Sequence, residues 1–265
     1  MINLKSVQSA GDLPAGLNFN QLISINKDST NVEAYYKQST NLVALVVVGS
    51  NKYVLKKFGW RNPIHFIFSP TFKSRAQASW DTALKLIAAG TQTPFPIYVH
   101  TVRKLGYTFD NIFLTSAVHP HIKFRALNLK THSESFIISV TKSLAQSIVK
   151  MHNAGIIHND LTNGNFLVNN EGSIFIVDLN RAKTVKQISV RQRLIDLSKI
   201  NFKFIVNQEE QIRKAFFDTY SENCSIFIDL ENEYISYRKK RLRKRRLKKK
   251  IKGYFYISRM VDSFL

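Results

Sequence analysis

The sequence predicts an α+β protein of two lobes, a small antiparallel-sheet lobe followed by a mainly helical one. Three observations predict it. Short apolar runs bounded by turn residues dominate up to about residue 118, with one helical pattern among them. After residue 130 the apolar spacing changes to the helical period. Between them and a further helical stretch lies a polar loop, Ile157-His158-Asn159-Asp160-Leu161-Thr162-Asn163-Gly164-Asn165, followed by the run Ile174 to Val177 that ends on Asp178.

With 265 residues, 44% of them hydrophobic, the chain can bury a full core as one domain or two close lobes. A single cysteine, Cys224, excludes an internal disulfide framework and fits a reducing compartment. The first residues lack a basic segment followed by a continuous apolar one, so no signal peptide is expected. The longest apolar run, Leu42 to Val48, is too short to span a bilayer. These features together predict a cytoplasmic protein, soluble or peripheral at a membrane.

The net charge of +21 is concentrated near the end, because Arg238 to Lys252 holds twelve Lys or Arg and no acid; without those twelve the body carries +9. Such a run points to a polyanionic surface or substrate. Anionic membrane attracts near-surface Lys and Arg by ~1 kcal/mol each. Nucleic acid is the competing polyanion, since neutralising phosphates needs nothing beyond such a run.

In chain order, Leu22 to Asn26 reads as a first strand, and Leu42 to Val48 with Lys52 to Phe58 as a hairpin across Gly49-Ser50-Asn51. Ala76, Trp80, Ala83, Leu84 and Ile87 have helical spacing over Ser74 to Ala89, and Gly90 stands where a helix end favours a left-handed residue. Tyr98 to Arg103 and Ile112 to Val118 read as two more strands, completing a β-β-β-α-β-β lobe over residues 1–118. The second lobe, residues 119–237, opens with a long helix marked by Ile137, Val140, Leu144, Ile148 and Met151. Thr131-x-x-Glu134 offers its capping box and Gly155 its stop. Phe166 to Val168 and Ile174 to Val177 form a second hairpin, and Val190 to Tyr237 is mostly helical. Residues 238–265 form a basic C-terminal tail.

Asp160 and Asn165, five apart on a loop, with Asp178 after the next hairpin, make the set a phosphoryl-transfer site needs. One carboxylate faces the incoming hydroxyl; an amide and a second carboxylate hold Mg²⁺ on nucleotide phosphates. The same residues resemble the protein-kinase-like superfamily: His158-x-Asp160-Leu161-x-x-x-Asn165 matches its catalytic loop, Ile176-Val177-Asp178-Leu179-Asn180 stands where it has D-F-G, and Tyr53-Val54-Leu55-Lys56 looks like its V-A-I-K strand. Three matches in order are more specific than any one. Val-Asp-Leu-Asn-Arg at Asp178, Tyr-Val-Leu-Lys-Lys-Phe around Lys56 and Leu-Ile-Ala-Ala-Gly-Thr-Gln-Thr-Pro-Phe-Pro-Ile after the first helix are most similar to the bacterial lipopolysaccharide core kinases, the Kdo and heptose kinase family.

The resemblance implies a protein-kinase-like fold and transfer of the γ-phosphate of ATP, with Mg²⁺, to a sugar hydroxyl of the lipopolysaccharide inner core or another glycolipid acceptor, at the cytoplasmic side of the inner membrane. Asp160 would be the catalytic base, Lys56 the nucleotide lysine, and Asn165 and Asp178 the metal ligands. Asp81 stands at the position of the acid that partners the lysine. With no glycine-rich motif present, Lys27-Asp28-Ser29-Thr30-Asn31 would cover the phosphates, Ser29, Thr30 and Asn31 donating from their side chains. Thr162 replaces the lysine that protein kinases place two residues after the catalytic Asp, which argues for a small-molecule acceptor. His158 is expected to be structural, and His119-Pro120-His121 is weak evidence for zinc. An atypical protein kinase and a catalytically silent module that binds membrane or RNA remain the alternatives.

Overall fold

Two polar edge strands frame the first lobe. The computed structural model describes residues 5–25, 32–60, 63–203, 208–224 and 228–261. In order, the first lobe runs β1 (Lys5–Gly11), α1 (Phe19–Ser24), β2 (Val32–Gln38), β3 (Asn41–Val48), β4 (Asn51–Phe58), α2 (Pro63–Ile67), α3 (Arg75–Ala88), β5 (Pro96–Lys104) and β6 (Tyr107–Ser116). The strands form one six-stranded antiparallel sheet in the order β1-β5-β6-β4-β3-β2. The expected hairpin is β3-β4, which pairs Val43 with Lys56 at the sheet centre. The expected helix is α3, whose N-cap Ser74 accepts from the Gln77 N–H.

The strand expected from Leu22 to Asn26 is corrected over its described part: Phe19–Ser24 is a helix, and Leu22 and Ile25, three apart, are buried together with Leu17 beneath the sheet, while Asn26 lies outside the described residues. A short apolar run is compatible with either period, and packing decided. The true edge strands β1 and β2 went unread because an edge has a solvated side and little apolar alternation to display.

The second lobe runs β7 (His121–Lys123), α4 (Glu134–Asn153), β8 (Ile156–Ile157), β9 (Phe166–Asn169), β10 (Ile174–Ile176), β11 (Lys183–Thr184), α5 (Val190–Leu197), α6 (Glu209–Glu222) and α7 (Leu230–Val261). Small sheets β10-β9-β7 and β11-β8 flank the helices. The α4 cap is Ser133, whose hydroxyl accepts from the Phe136 N–H, rather than Thr131. The basic run is not a separate tail, because α7 passes without interruption through residues 237 and 238.

One large core crosses both lobes, from Phe58, Leu86 and Phe113 to Leu144, Ile176 and Phe216. The segment after α3 stitches them: the Thr93 hydroxyl donates to the Ile176 carbonyl at 2.8 Å, the Ile176 N–H to the Gln92 carbonyl at 3.0 Å, and the Thr91 hydroxyl to the Ser147 carbonyl at 3.2 Å. The helix of the sheet lobe is thereby tied to the strand that delivers Asp178.

Gly155 ends α4 with φ +75° and lies so close to the chain after β11 that an added Cβ would stand 2.1 Å from the Val185 carbonyl oxygen. Gly90, φ +68°, has open space around it. Gly90→Ala should therefore cost only the left-handed backbone penalty of about 1–2 kcal/mol. Gly155→Ala should cost about 1–3 kcal/mol more from overlap. Urea denaturation of both variants measures the difference; equal losses would remove the close-approach argument.

Candidate active site

Asp196 on α5 is a carboxylate with no solvent exposure, and it carries the polar loop. Its oxygens accept from the backbone N–H groups of His158 at 2.7 Å and Asn159 at 2.9 Å, and from the Lys199 ammonium at 2.9 Å. The His152 ring approaches at 3.5 Å. Burial opposes the charge, but the His152 hydrogen bond and the Lys199 ammonium outweigh it, so the carboxyl stays well below the usual range. Burial also pushes His152 and His158 below the ordinary histidine value. Both rings are therefore neutral at pH 7, and their tautomers follow from the partners. His152 donates from Nε2 to Asp196 and accepts at Nδ1 from the Tyr220 hydroxyl, 2.7 Å away, whose proton burial retains. His158 donates from Nε2 to the Val177 carbonyl at 3.0 Å and accepts the Asp160 N–H at Nδ1, 3.2 Å. His158 is the structural residue it was expected to be, joining the loop before Asp160 to the strand before Asp178.

Above this base, three of the residues expected to act together, Lys56, Asn165 and Asp178, line one cleft between the lobes, a cavity of about 380 Å³ roofed by Val43 and Val54, and Asp160 is not among its described lining residues. The Lys56 ammonium pairs with the Asp178 carboxylate, which also accepts from the Asn180 side chain. Burial lowers the lysine's affinity for its proton, with Asp178 opposing; burial raises the acid, but Lys56 reverses that and holds it below its ordinary value. Asp178 has left-handed φ 66° and ψ 50°, and Asn159, φ 62°, is the other such residue at the site. Strain of this kind, ~1–3 kcal/mol each, persists where surrounding bonds over-determine the backbone. The Asn165 side-chain NH₂ donates to the Asp160 carbonyl at 2.8 Å, which leaves the amide oxygen facing the cleft chemistry. Asp160 is partly exposed; its Oδ2 pairs with Arg181 at 3.3 Å.

Other residues fall elsewhere. Asp81 does not reach Lys56: it pairs with Lys73 at 2.6 Å and accepts from Gln77 at 2.9 Å on the outer side of α3. The helix turns Ala76, Ser79 and Ala83 inward instead, and Ser79 lines the cleft, so the lysine's partner is Asp178. Ser29, Thr30 and Asn31 lie outside the described residues. Within them, Lys37 of β2 lines the cleft close enough to interact electrostatically with Asp178. Sequence reading missed Lys37 and Asp196. An acid inside Leu194-Ile195-Asp196-Leu197, with Lys199 three residues on, was the available signal for the second.

A sheet lobe bearing Lys56, a helical lobe bearing the Asp160 loop and the Asp178 turn, and the buried Asp196 beneath the first define a protein-kinase-like fold. The solved structure described as WaaP in complex with acyl carrier protein has this fold, with TM-score 0.64 and 17% identity, covering 89% of this chain and 98% of that one. The model of the lipopolysaccharide kinase (Kdo/WaaP) family matches residues 65–220, and the chain belongs to that family. It is 29% identical over 119 residues to the 3-deoxy-D-manno-octulosonic acid kinase of Vibrio parahaemolyticus, 45% of this chain and 48% of that protein. The protein of the same name from Vibrio vulnificus is 27% identical over 139 residues, 52% of this chain and 57% of that protein. The chain thus spans about half the length of the curated relatives it matches. A 49-residue segment is 47% identical to a probable cyclin-dependent serine/threonine-protein kinase of Dictyostelium discoideum, 18% of this chain and 8% of that protein.

Asp196→Ala should cost about 3–5 kcal/mol, because it strips a buried network of its charge. Asp81→Ala, a partly exposed pair, should cost about 1 kcal/mol or less. Chemical denaturation separates the two, and similar losses would overturn the assignment of Asp196 as the support of the loop. Stability should also fall as pH drops below about 6.5, where histidines of the unfolded chain take up protons that the buried His152 and His158 refuse. A second decline begins below about 4, where the unfolded counterpart of Asp196 protonates first. Thermal melts across pH 3–8 read both phases.

Proposed function

We propose that the chain transfers the γ-phosphate of ATP, in the presence of Mg²⁺, to a hydroxyl of a sugar acid in the lipopolysaccharide inner core, Kdo in preference to heptose. The observation that carries the reading is the convergence of Lys56, Asn165 and Asp178 on one cleft, with Asp160 tied to it by the Asn165 hydrogen bond to its carbonyl. The names of the two Vibrio relatives favour the sugar acid as acceptor. Val43, Val54 and Leu167 line an apolar part of the cleft suited to a nucleobase, and Lys37 and Lys56 supply charge for phosphates.

Asn165 and Asp178 suit Mg²⁺, a hard cation that takes one or two protein oxygens and completes its shell with phosphates and water. Bound there, the ion neutralises charge developing on the phosphates. Asp160 keeps one carboxylate oxygen, Oδ1, without a hydrogen bond to another described residue, and this oxygen orients the acceptor hydroxyl and receives its proton. The Asn165 bond to the Asp160 carbonyl fixes the spacing of base and metal ligand. Asp178 would offer its carboxylate to the metal and Lys56 its ammonium to phosphate, and the ion pair between them holds both charges at the cleft. The basic face of α7 supports a peripheral place at an anionic membrane, where a glycolipid acceptor is found.

Labelled phosphate should pass from ATP to purified Kdo-lipid A, and Asp160→Asn should lower the rate by about 10²–10⁴ with Mg²⁺-ATP binding retained. Absence of transfer to any core acceptor by wild type that binds Mg²⁺-ATP would overturn the substrate assignment. Asn165→Ala should raise the Mg²⁺ concentration needed for half-maximal rate, and an unchanged requirement would count against the metal role.

A further inference from the structure

Outside the cleft lies a strongly charged groove of about 660 Å³ between α5 and α7. Arg191 enters it from α5, and Lys240, Lys244 and Lys248, spaced by four, line it from one face of α7 beside Arg241 and Arg245. No Asp or Glu is among its described lining residues, and Lys199 is committed to Asp196. Arg241, Lys244, Arg245 and Lys248 make no hydrogen bond or ion pair with another described residue. Like charges held this close repel, and an anion in the groove relieves them.

The groove is held in place and abuts the catalytic loop. Tyr234, buried, donates its hydroxyl to the Ile200 carbonyl at 3.0 Å, and Arg238 donates to the Ile200 carbonyl and the Asn201 side chain. Asn201 in turn exchanges two hydrogen bonds with the Asn163 side chain, at 2.6 and 2.8 Å, on the loop between Asp160 and Asn165. Through Arg238, Asn201 and Asn163, one end of the groove is joined to the loop that carries Asp160.

We propose that the α5-α7 groove is the subsite for the anionic groups of the acceptor, the phosphates of a phosphorylated glycolipid whose sugar hydroxyl lies at Asp160. This rests on the kinase reading above and adds the recognition element for its substrate. A concave site joined to the catalytic loop fits part of the acceptor better than a membrane plane, which the outward residues Arg243 and Arg246 are placed to meet. The same arrangement gives specificity: an acceptor lacking the anion leaves the cations unpaired.

The test compares wild type with the triple variant Lys240→Gln, Lys244→Gln, Lys248→Gln, which preserves helix-forming side chains at exposed positions. Binding is measured to Kdo-lipid A in neutral detergent micelles, to the same glycolipid after phosphatase treatment, to phosphatidylglycerol vesicles and to a short single-stranded RNA. The variant should bind intact glycolipid at least tenfold more weakly. Phosphatase treatment should weaken wild type by a similar factor and the variant by less than threefold, while vesicle binding changes less than threefold. Unaltered glycolipid binding by a folded variant, an equal loss toward vesicles, or tighter wild-type binding to RNA than to glycolipid would each overturn the proposal. Wild type that binds the glycolipid through these lysines without phosphorylating it would support the groove and reject the activity. Transfer with an unchanged KM for acceptor in the variant would do the reverse.

Discussion

The interaction on which the rest of the structure depends is the buried carboxylate of Asp196. Two successive backbone N–H groups, at His158 and Asn159, end on its oxygens, so the loop before Asp160 takes its turn from a side chain almost forty positions later. An uncompensated buried charge is costly, and each partner here removes part of that cost. The loop cannot relax without exposing or orphaning the acid. That requirement is what sets Asn159 in a left-handed conformation and aims Asp160 outward, and His158 passes the constraint on to the strand end at Asp178.

From this base the cleft is assembled by two further links. The Lys56–Asp178 pair joins the sheet lobe to the turn after β10, and the bonds from residues 91–93 to Ile176 and Ser147 fix α3 against the second lobe. The small residues Ala76, Ser79 and Ala83 are the ones α3 turns inward, so the acid of that helix, Asp81, points away from Lys56. Asp81 consequently has a surface role. Charge in the cleft is balanced within the Lys56–Asp178 pair, rather than by Asp81.

The basic helix changes character once it is seen in place. Its first turns are core, through Tyr234 against Phe202 and Phe217, and its cations emerge beside α5, the helix that supplies Asp196. Support of the catalytic loop and presentation of positive charge are thus properties of one helix pair.

Local signals carried much of this. The spacing His158-x-Asp160 to Asn165, the strand Tyr53 to Lys56, the position of Asp178 and the resemblance they support were legible because each lies within one short segment whose backbone pattern dictates its shape. The hairpin β3-β4 and the helices α3 and α4 were legible for the same reason, from period and caps. Edge strands β1 and β2 were not, since one solvated side erases the alternation, and Leu22 with Ile25 fits helix or strand equally in five residues. By itself the sequence determined the fold class, the order of the segments that carry Lys56, Asp160, Asn165 and Asp178, and the location of the excess charge. Only the tertiary structure decided that Asp178 and not Asp81 answers Lys56, that Asp196 holds the loop, and that the basic run faces a groove. Those outcomes depend on which side chains meet across long stretches of chain, and a buried charge finds its partners in space rather than by spacing along the sequence.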